Sequence, residues 1–313
     1  MKRIELLLFM CLWTALVCQA QDNGISINAR IVDERIPEEA ARNLENKLQR
    51  IIVANGFGDL GYTARFVLTA KVDITQKDIV NSTPARISEK MDITLMVGDV
   101  VENIPYATCV ISVSGIGINE NKAYISAFNA LKPQDQRIVQ MLDEARTKIT
   151  DYYTNRCGEI VTRANTLAAT GKYDEAIFRL VSVPNVCTEC FEQCQSQAAA
   201  IYQQRIDEQG VELLEKARNA WAAQQDGNGA TKAAQIISGI SPKAANYQQV
   251  VTLRNTIASK LQTDAKRQWD FKMKQYEDSQ AFKRSIVEGV RDIGVAWASH
   301  QPTSVVKVIR SWW

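Results

Sequence analysis

Apolar and polar positions follow two different periods along this chain. From residue 25 to residue 113, four runs alternate with period two, the signature of strands with one buried face. The first is Ile25, Ile27, Ala29 and Ile31, and the second is Phe66, Leu68, Ala70, Val72 and Ile74. Met91, Ile93, Leu95 and Val97 form the third, and Cys109, Ile111 and Val113 the fourth. Between the first two lies a helical stripe, Ala40, Leu44, Leu48 and Ile51, opened by Pro37 and closed by Asn55-Gly56. After the fourth run, Gly115-Ile116-Gly117 leads into an alanine-rich helix ending near Leu131, and Lys132-Pro133 marks a boundary.

Beyond that boundary the apolar positions recur every three or four residues. Ile138, Met141, Leu142, Ala145 and Ile149 form one stripe. Ala164, Leu167 and Ala168, then Gly171, then Ala176, Ile177, Leu180 and Val181 read as helix, tight turn and helix, with Val183-Pro184 stopping the second. This hairpin, with Ala164, Gly171, Tyr173 and Ala176 at matching places, resembles a tetratricopeptide repeat. A fainter copy lies over residues 231–242. A long helix runs from Cys194 through Trp221 to a break at Asp226-Gly227-Asn228-Gly229. From Tyr247 to Ser299 no proline intervenes, and Val250, Leu253, Ile257, Leu261, Ala265, Trp269, Met273 and Tyr276 keep one stripe. A single helix of that length spans roughly 80 Å at 1.5 Å per residue. Such a helix projects, pairs with another copy, or folds back at Gly289 or Gly294; the readings weighed are a broken helix packing on its own domain, an oligomeric or partner-binding helix, and a basic helix lying on a membrane. The tail, Val305 to Trp313, alternates like a short strand or hooks on as an apolar end.

The expected fold class is α+β: a small N-terminal β-α-β-β-β-α domain, then a TPR-like α-helical array with a long C-terminal helix. The expected boundaries are residues 1–20 for a leader, 21–132 for the α/β domain, 133–245 for the helical array, and 246–313 for the long helix and aromatic tail.

The leader reading rests on Met1-Lys2-Arg3, the apolar run to Val17, and Cys18-Gln19-Ala20 before Gln21, the layout of a cleavable signal peptide. Val17 before Cys18 departs from a lipobox, so soluble export, periplasmic or secreted, is preferred to an outer-membrane lipoprotein. Export places the cysteines in an oxidising compartment. Of the seven cysteines, Cys11 and Cys18 fall in the leader. Cys157, Cys187, Cys190 and Cys194 are the disulfide candidates, with Cys157 paired to one of the other three. Zinc is disfavoured because it wants four ligands in separated pairs and the sole histidine, His300, is remote. A thioredoxin-like use of Cys187 and Cys190 lacks the βαβ setting.

Bulk charge does not point to nucleic acid, at a net +2 over 313 residues. No Ser-His-Asp, HExxH or paired-carboxylate constellation stands out, so no catalytic residue, cofactor or metal is assigned and a non-enzymatic role is expected. The strand, Gly115-x-Gly117 and helix order invites a nucleotide reading, but Glu120 occupies the place of the third fingerprint glycine. The glycines are expected instead to make a tight turn. With Ala123, Ala127 and the element order, they resemble the periplasmic α/β domain of CsgG-like secretion lipoproteins and FlgT-like flagellar assembly proteins. The resemblance implies work at the envelope by assembly with protein partners. Trp269, Met273, Tyr276, Trp312 and Trp313 are the expected partner-binding side chains, with self-association and peripheral membrane contact as further expectations. A component of a secreted or phage-derived structural assembly, and an exported hydrolase or thiol-redox enzyme, are the alternatives.

Overall fold

The computed structural model describes residues 24–58, 65–81, 83–281, 285–300 and 302–313. The expected leader, with Cys11 and Cys18, lies outside them. The chain is an α+β protein of two compact units. One gathers Met1–Tyr153, Pro184–Cys187 and Gln301–Trp313; the other gathers Thr154–Val183 and Thr188–His300.

The first unit is built on four strands in sequence order: β1 (Ile27–Ala29), β2 (Phe66–Val80), β3 (Arg86–Asp99) and β4 (Ile104–Gly117). β1 runs parallel to β2, and the other pairs are antiparallel. Strands β2, β3 and β4 run well past the alternating runs, because Gln76 to Val80 continue the ladder against Arg86 to Lys90 although their side chains are exposed. The parallel pair needs a crossover, and α1 (Glu38–Ala54) supplies it. Its Leu44, Leu48 and Ile51 are fully buried. Its polar side chains close the outer edge of β1: Gln49 Oε1 accepts from Ala29 N at 3.0 Å and Glu45 Oε2 from Ile31 N at 3.0 Å.

Asn119 caps α2 (Glu120–Phe128) by accepting from Lys122 N at 2.9 Å. Gly115 and Gly117 are not the tight turn expected of them; both lie inside β4. A Cβ on Gly115 would stand 2.0 Å from Ala123 O, and one on Gly117 2.3 Å from Ala123 N. The glycines therefore let α2 lie directly against the strand. The Gly-x-Gly signal reports close packing rather than a turn or a phosphate cradle.

A buried ion pair ties three segments together. Arg65, just before β2, and Asp99, at the end of β3, are 1 % and 0 % exposed. Arg65 Nε donates to Asp99 Oδ2 at 2.8 Å. Tyr153, near the end of α3 (Gln136–Asn155), donates its hydroxyl to the same oxygen at 2.5 Å. Asp99 Oδ1 accepts from Val101 N at 2.8 Å and Glu102 N at 3.0 Å, and Arg65 also pairs with Glu102. The guanidinium lies 4.9 Å from the Tyr153 ring centroid, and Phe66 meets that ring edge-on at 5.9 Å. Burial disfavours the arginine charge, yet Asp99 outweighs it and holds Arg65 protonated beyond its usual range.

The C-terminal residues form not a strand but a helix, α11 (Pro302–Ser311), which docks by its apolar side. Val305, Val308, Ile309 and Trp312 recur at helical spacing, a stripe that the local alternation of valines hid. Ile309 is fully buried against Val67 and Val100. Trp312 donates its indole N–H to Asn103 Oδ1 at 2.8 Å and packs over Gly98, where a Cβ would fall 2.6 Å from its ring.

Among the described residues, the regular elements of the second unit are all helices. Its hairpin is α4 (Cys157–Ala169) and α5 (Tyr173–Val181). Gly171 has φ +75°, and the bonds from Gly171 N to Ala168 O and from Lys172 N to Leu167 O close the helix as a Schellman turn. The spine is α6 (Thr188–Ala223), 36 residues and about 54 Å long at 1.5 Å per residue. Asp226 caps α7 (Gly227–Ile237), accepting from Asn228 N and Gly229 N.

The stretch from residue 247 to residue 299 is not one long helix but a broken one, as the first of the readings weighed has it: α8 (Tyr247–Lys260), α9 (Thr263–Ala281) and α10 (Ile286–Ser299). Leu261 is extended, with ψ 140°, and Ser285 starts α10 with a capping box closed by Glu288. α8 and α9 bury their apolar faces in one cluster with α6 and α7. α10 packs on α5 and α6, where a Cβ on Gly289 would stand 2.5 Å from Tyr202 Oη. A continuous stripe could not distinguish one projecting helix from segments folded onto a shared core.

Replacing Arg65 by Met leaves Asp99 buried without its counter-charge, and about 3–5 kcal/mol of stability is expected to go, measured by denaturant unfolding of the first unit. Burial also lifts the Tyr153 phenol well above 10, with Asp99 adding and Arg65 opposing. The unfolded chain releases this proton near pH 10, while the native chain keeps it. The contribution is therefore full below about pH 10 and lost as pH rises beyond it. Tyr153→Phe is expected to flatten this alkaline limb of a stability-versus-pH curve.

Candidate functional site

Two features of the described residues can act on something outside the fold. The first is a cluster of sulfurs in the helical unit. Cys157 opens α4 and Cys190 is the third residue of α6; the packing of these helices joins them in a disulfide. Cys194, one turn further along α6, brings its Sγ to 3.9 Å from that of Cys190. All three Sγ atoms lie within 4.8 Å of one another. Cys190 and Cys194 are buried, and Cys157 is half-buried between exposed neighbours. A tri-thiolate metal site uses sulfurs this close, but two of these three share a covalent bond and only Cys194 can offer a thiolate.

The expected bridge from Cys157 to a later cysteine is thus present, with Cys190 as its partner. Cys187 takes no part in it. Its buried thiol, in the first unit, meets Thr150 O at 3.7 Å. Cys109, on β4, is a thiol that burial pushes up to about 11.

The second feature is the end of the sheet. β1 accompanies β2 only from Phe66 to Leu68. At Val72 the open edge of β2 is covered by charge: Arg35 donates to Val72 O at 3.1 Å, and Asp33 Oδ2 accepts from Val72 N at 3.4 Å. Burial works against ionisation of Asp33, but the Arg35 guanidinium prevails and holds its carboxyl below the usual range. From Ile74 to Val80 no other strand among the described residues covers that edge. Ile79 is 75 % exposed, Ile118 65 % and Ile116 52 %. Ile79 pairs with Ile87, which pairs with Gly117, so this rung carries apolar groups past the covered part of the sheet. An ion triad marks where cover stops: Lys77 Nζ lies 3.1 Å from Glu120 and 3.2 Å from Glu89, whose side chain is fully buried.

The side chains expected to bind partners are used differently. Trp269, Met273 and Tyr276 are only 4–5 % exposed, within the cluster that joins α6 to α9, and Tyr276 donates to Ile240 O at 2.7 Å. A stripe of large apolar groups at helical spacing is a core signature before it is a binding one, and here it is core. Trp312 is docked on its own unit, and Trp313 remains partly exposed. The uncovered sheet end carried no comparable signal, because residues 75 to 80 are mostly polar and show no apolar period. Among the described residues, the His300 ring meets Ser299 and Ala296 O.

The chain matches no known family model, no curated protein and no solved structure. No helix among the described residues is long and apolar enough to cross a membrane.

Thiol titration tests the cysteine assignment. A chain beginning at Gln21 holds five cysteines and one bridge, so denaturing, non-reducing conditions are expected to expose three thiols, and prior reduction five. In the native protein Cys109 is expected to alkylate slowly at pH 8, since its thiolate is scarce there.

Proposed function

We propose that this protein is a non-enzymatic assembly or scaffolding factor of the bacterial cell envelope, exported to the periplasm or beyond, which self-associates and binds protein partners. One observation carries the reading: from Ile74 onward no other strand among the described residues covers the edge of β2, where Ile79 is exposed, and Ile116 and Ile118 are exposed at the far end of β4. Such edges invite pairing with another strand; this one is covered by Arg35 and Asp33 at Val72, and beyond it carries only an irregularity between Ile74 and Gln76 and the charges of Lys77 and Asp78. The disulfide supports export, because such bonds persist in oxidising compartments. The resemblances to CsgG-like and FlgT-like domains and to a tetratricopeptide hairpin point the same way. So does the balanced net charge of +2, which favours protein partners over nucleic acid. A thiol-redox role is the second reading, favoured by the third sulfur beside the bridge.

Light scattering after size exclusion tests the assembly reading. The wild type is expected to exceed the mass of one chain, and Ile79→Lys with Ile116→Lys to return it to one chain without lowering the melting temperature. A wild type that stays a single chain at every soluble concentration, with envelope crosslinks unchanged in the variant, counts against it.

A further inference from the structure

We propose that Cys157, Cys190 and Cys194 form a thiol–disulfide exchange site, at which an external thiol enters at Cys157 and Cys194 closes a second bridge. The inference rests on the sulfur cluster alone and stands whether or not the sheet end pairs with a partner.

Three observations converge on it. The first is access. Cys157 is the half-buried member, flanked by exposed Arg156 and Gly158, while Cys190 and Cys194 are 4 % and 0 % exposed. A thiol arriving from solvent therefore meets the Cys157 sulfur. The second is the leaving group. Cys190 lies in the first turn of α6, where the helix N-terminus stabilises a thiolate, and a stabilised thiolate leaves readily. The third is a waiting partner. Cys194 lies four residues along the same helix, on the same face, with its sulfur near van der Waals contact with that of Cys190 and within 4.8 Å of that of Cys157. A stapling role needs only two of these sulfurs.

The chemistry balances without an oxidant. The incoming thiolate attacks Cys157 Sγ, the bond to Cys190 breaks, and the electron pair leaves on Cys190 Sγ. Cys194 passes its proton to that neighbouring thiolate, across the 3.9 Å contact. The Cys194 thiolate then attacks Cys157 Sγ and expels the external thiolate. One disulfide and one thiol are present before and after. The bridge has moved one turn along α6, from Cys190 to Cys194, and the external thiol is regenerated. The external thiol acts catalytically, and its class is a small or protein-borne thiol.

Disulfide mapping tests this on the oxidised wild-type chain. The protein is incubated with reduced glutathione, quenched in acid, alkylated and digested, and its bridged peptides are identified by mass. A Cys157–Cys194 peptide is expected to grow in with glutathione and to be absent without it. Recovery of Cys157–Cys190 alone, or of a bridge from Cys157 to Cys187, overturns the assignment. Two variants sharpen the result. Cys194→Ser is expected to hold glutathione on Cys157 and form no second bridge, while Cys190→Ser treated with glutathione disulfide is expected to close Cys157–Cys194. A Cys190→Ser protein with native circular dichroism that keeps glutathione on Cys157 overturns the proposal, and if either variant fails to fold, the wild-type map decides.

Discussion

The α/β unit depends on one buried ion pair. Arg65 and Asp99 have no access to water, and a lone charge so placed is expensive by several kcal/mol. The pair is tolerable because nearly every hydrogen-bonding position on Asp99 is used: Arg65, Tyr153, and the amides of Val101 and Glu102 all donate to it. The same geometry makes the pair a locator. It fixes where β2 begins, where β3 ends, and where α3 crosses them, three places far apart in sequence. No apolar contact specifies position so narrowly, because apolar surfaces slide where hydrogen bonds do not.

The helical unit is organised by the opposite kind of force. Its core is a diffuse apolar cluster in which Leu214, Trp221, Ile237, Val250, Ile257, Trp269, Met273 and Tyr276 are buried. The apolar faces of α8 and α9 turn inward because a large exposed stripe is unstable in water. Small residues allow the close approaches: alanines on α7 face the spine, and Gly289 brings α10 against Tyr202. The disulfide adds a covalent link between the first turns of α4 and α6 within this unit. Beside it Cys194 brings a third sulfur, all three lying within 4.8 Å of one another.

The two outward-facing features therefore have different origins. The sheet end is exposed because β2, β3 and β4 are longer than the helices and the short β1 that cover them. The sulfur cluster arises because α4 and α6 lie side by side with their N-terminal turns together, Cys157 against Cys190 and, two turns on, Asn165 against Gln197. The first exposes backbone and apolar surface, and the second sets a third sulfur beside a disulfide.

The sequence by itself determined the class, the element order of the α/β part, the helix between the first two strands, the hairpin turn at Gly171, and that Cys157 pairs with a cysteine some thirty residues on. These follow from local periodicity and local backbone conformation, which neighbouring residues specify. Only the tertiary structure decided that the 247–299 stripe breaks and folds inward, that the tail is a helix, and that Gly115 and Gly117 accept a helix rather than make a turn. Only it brought Arg65 to Asp99, and Cys194 to the bridge. The reason is physical. A period of 3.6 says which face is apolar but not what that face meets. Contacts between residues distant in sequence, such as Arg65 with Asp99 or Cys157 with Cys194, exist only once the chain has closed on itself.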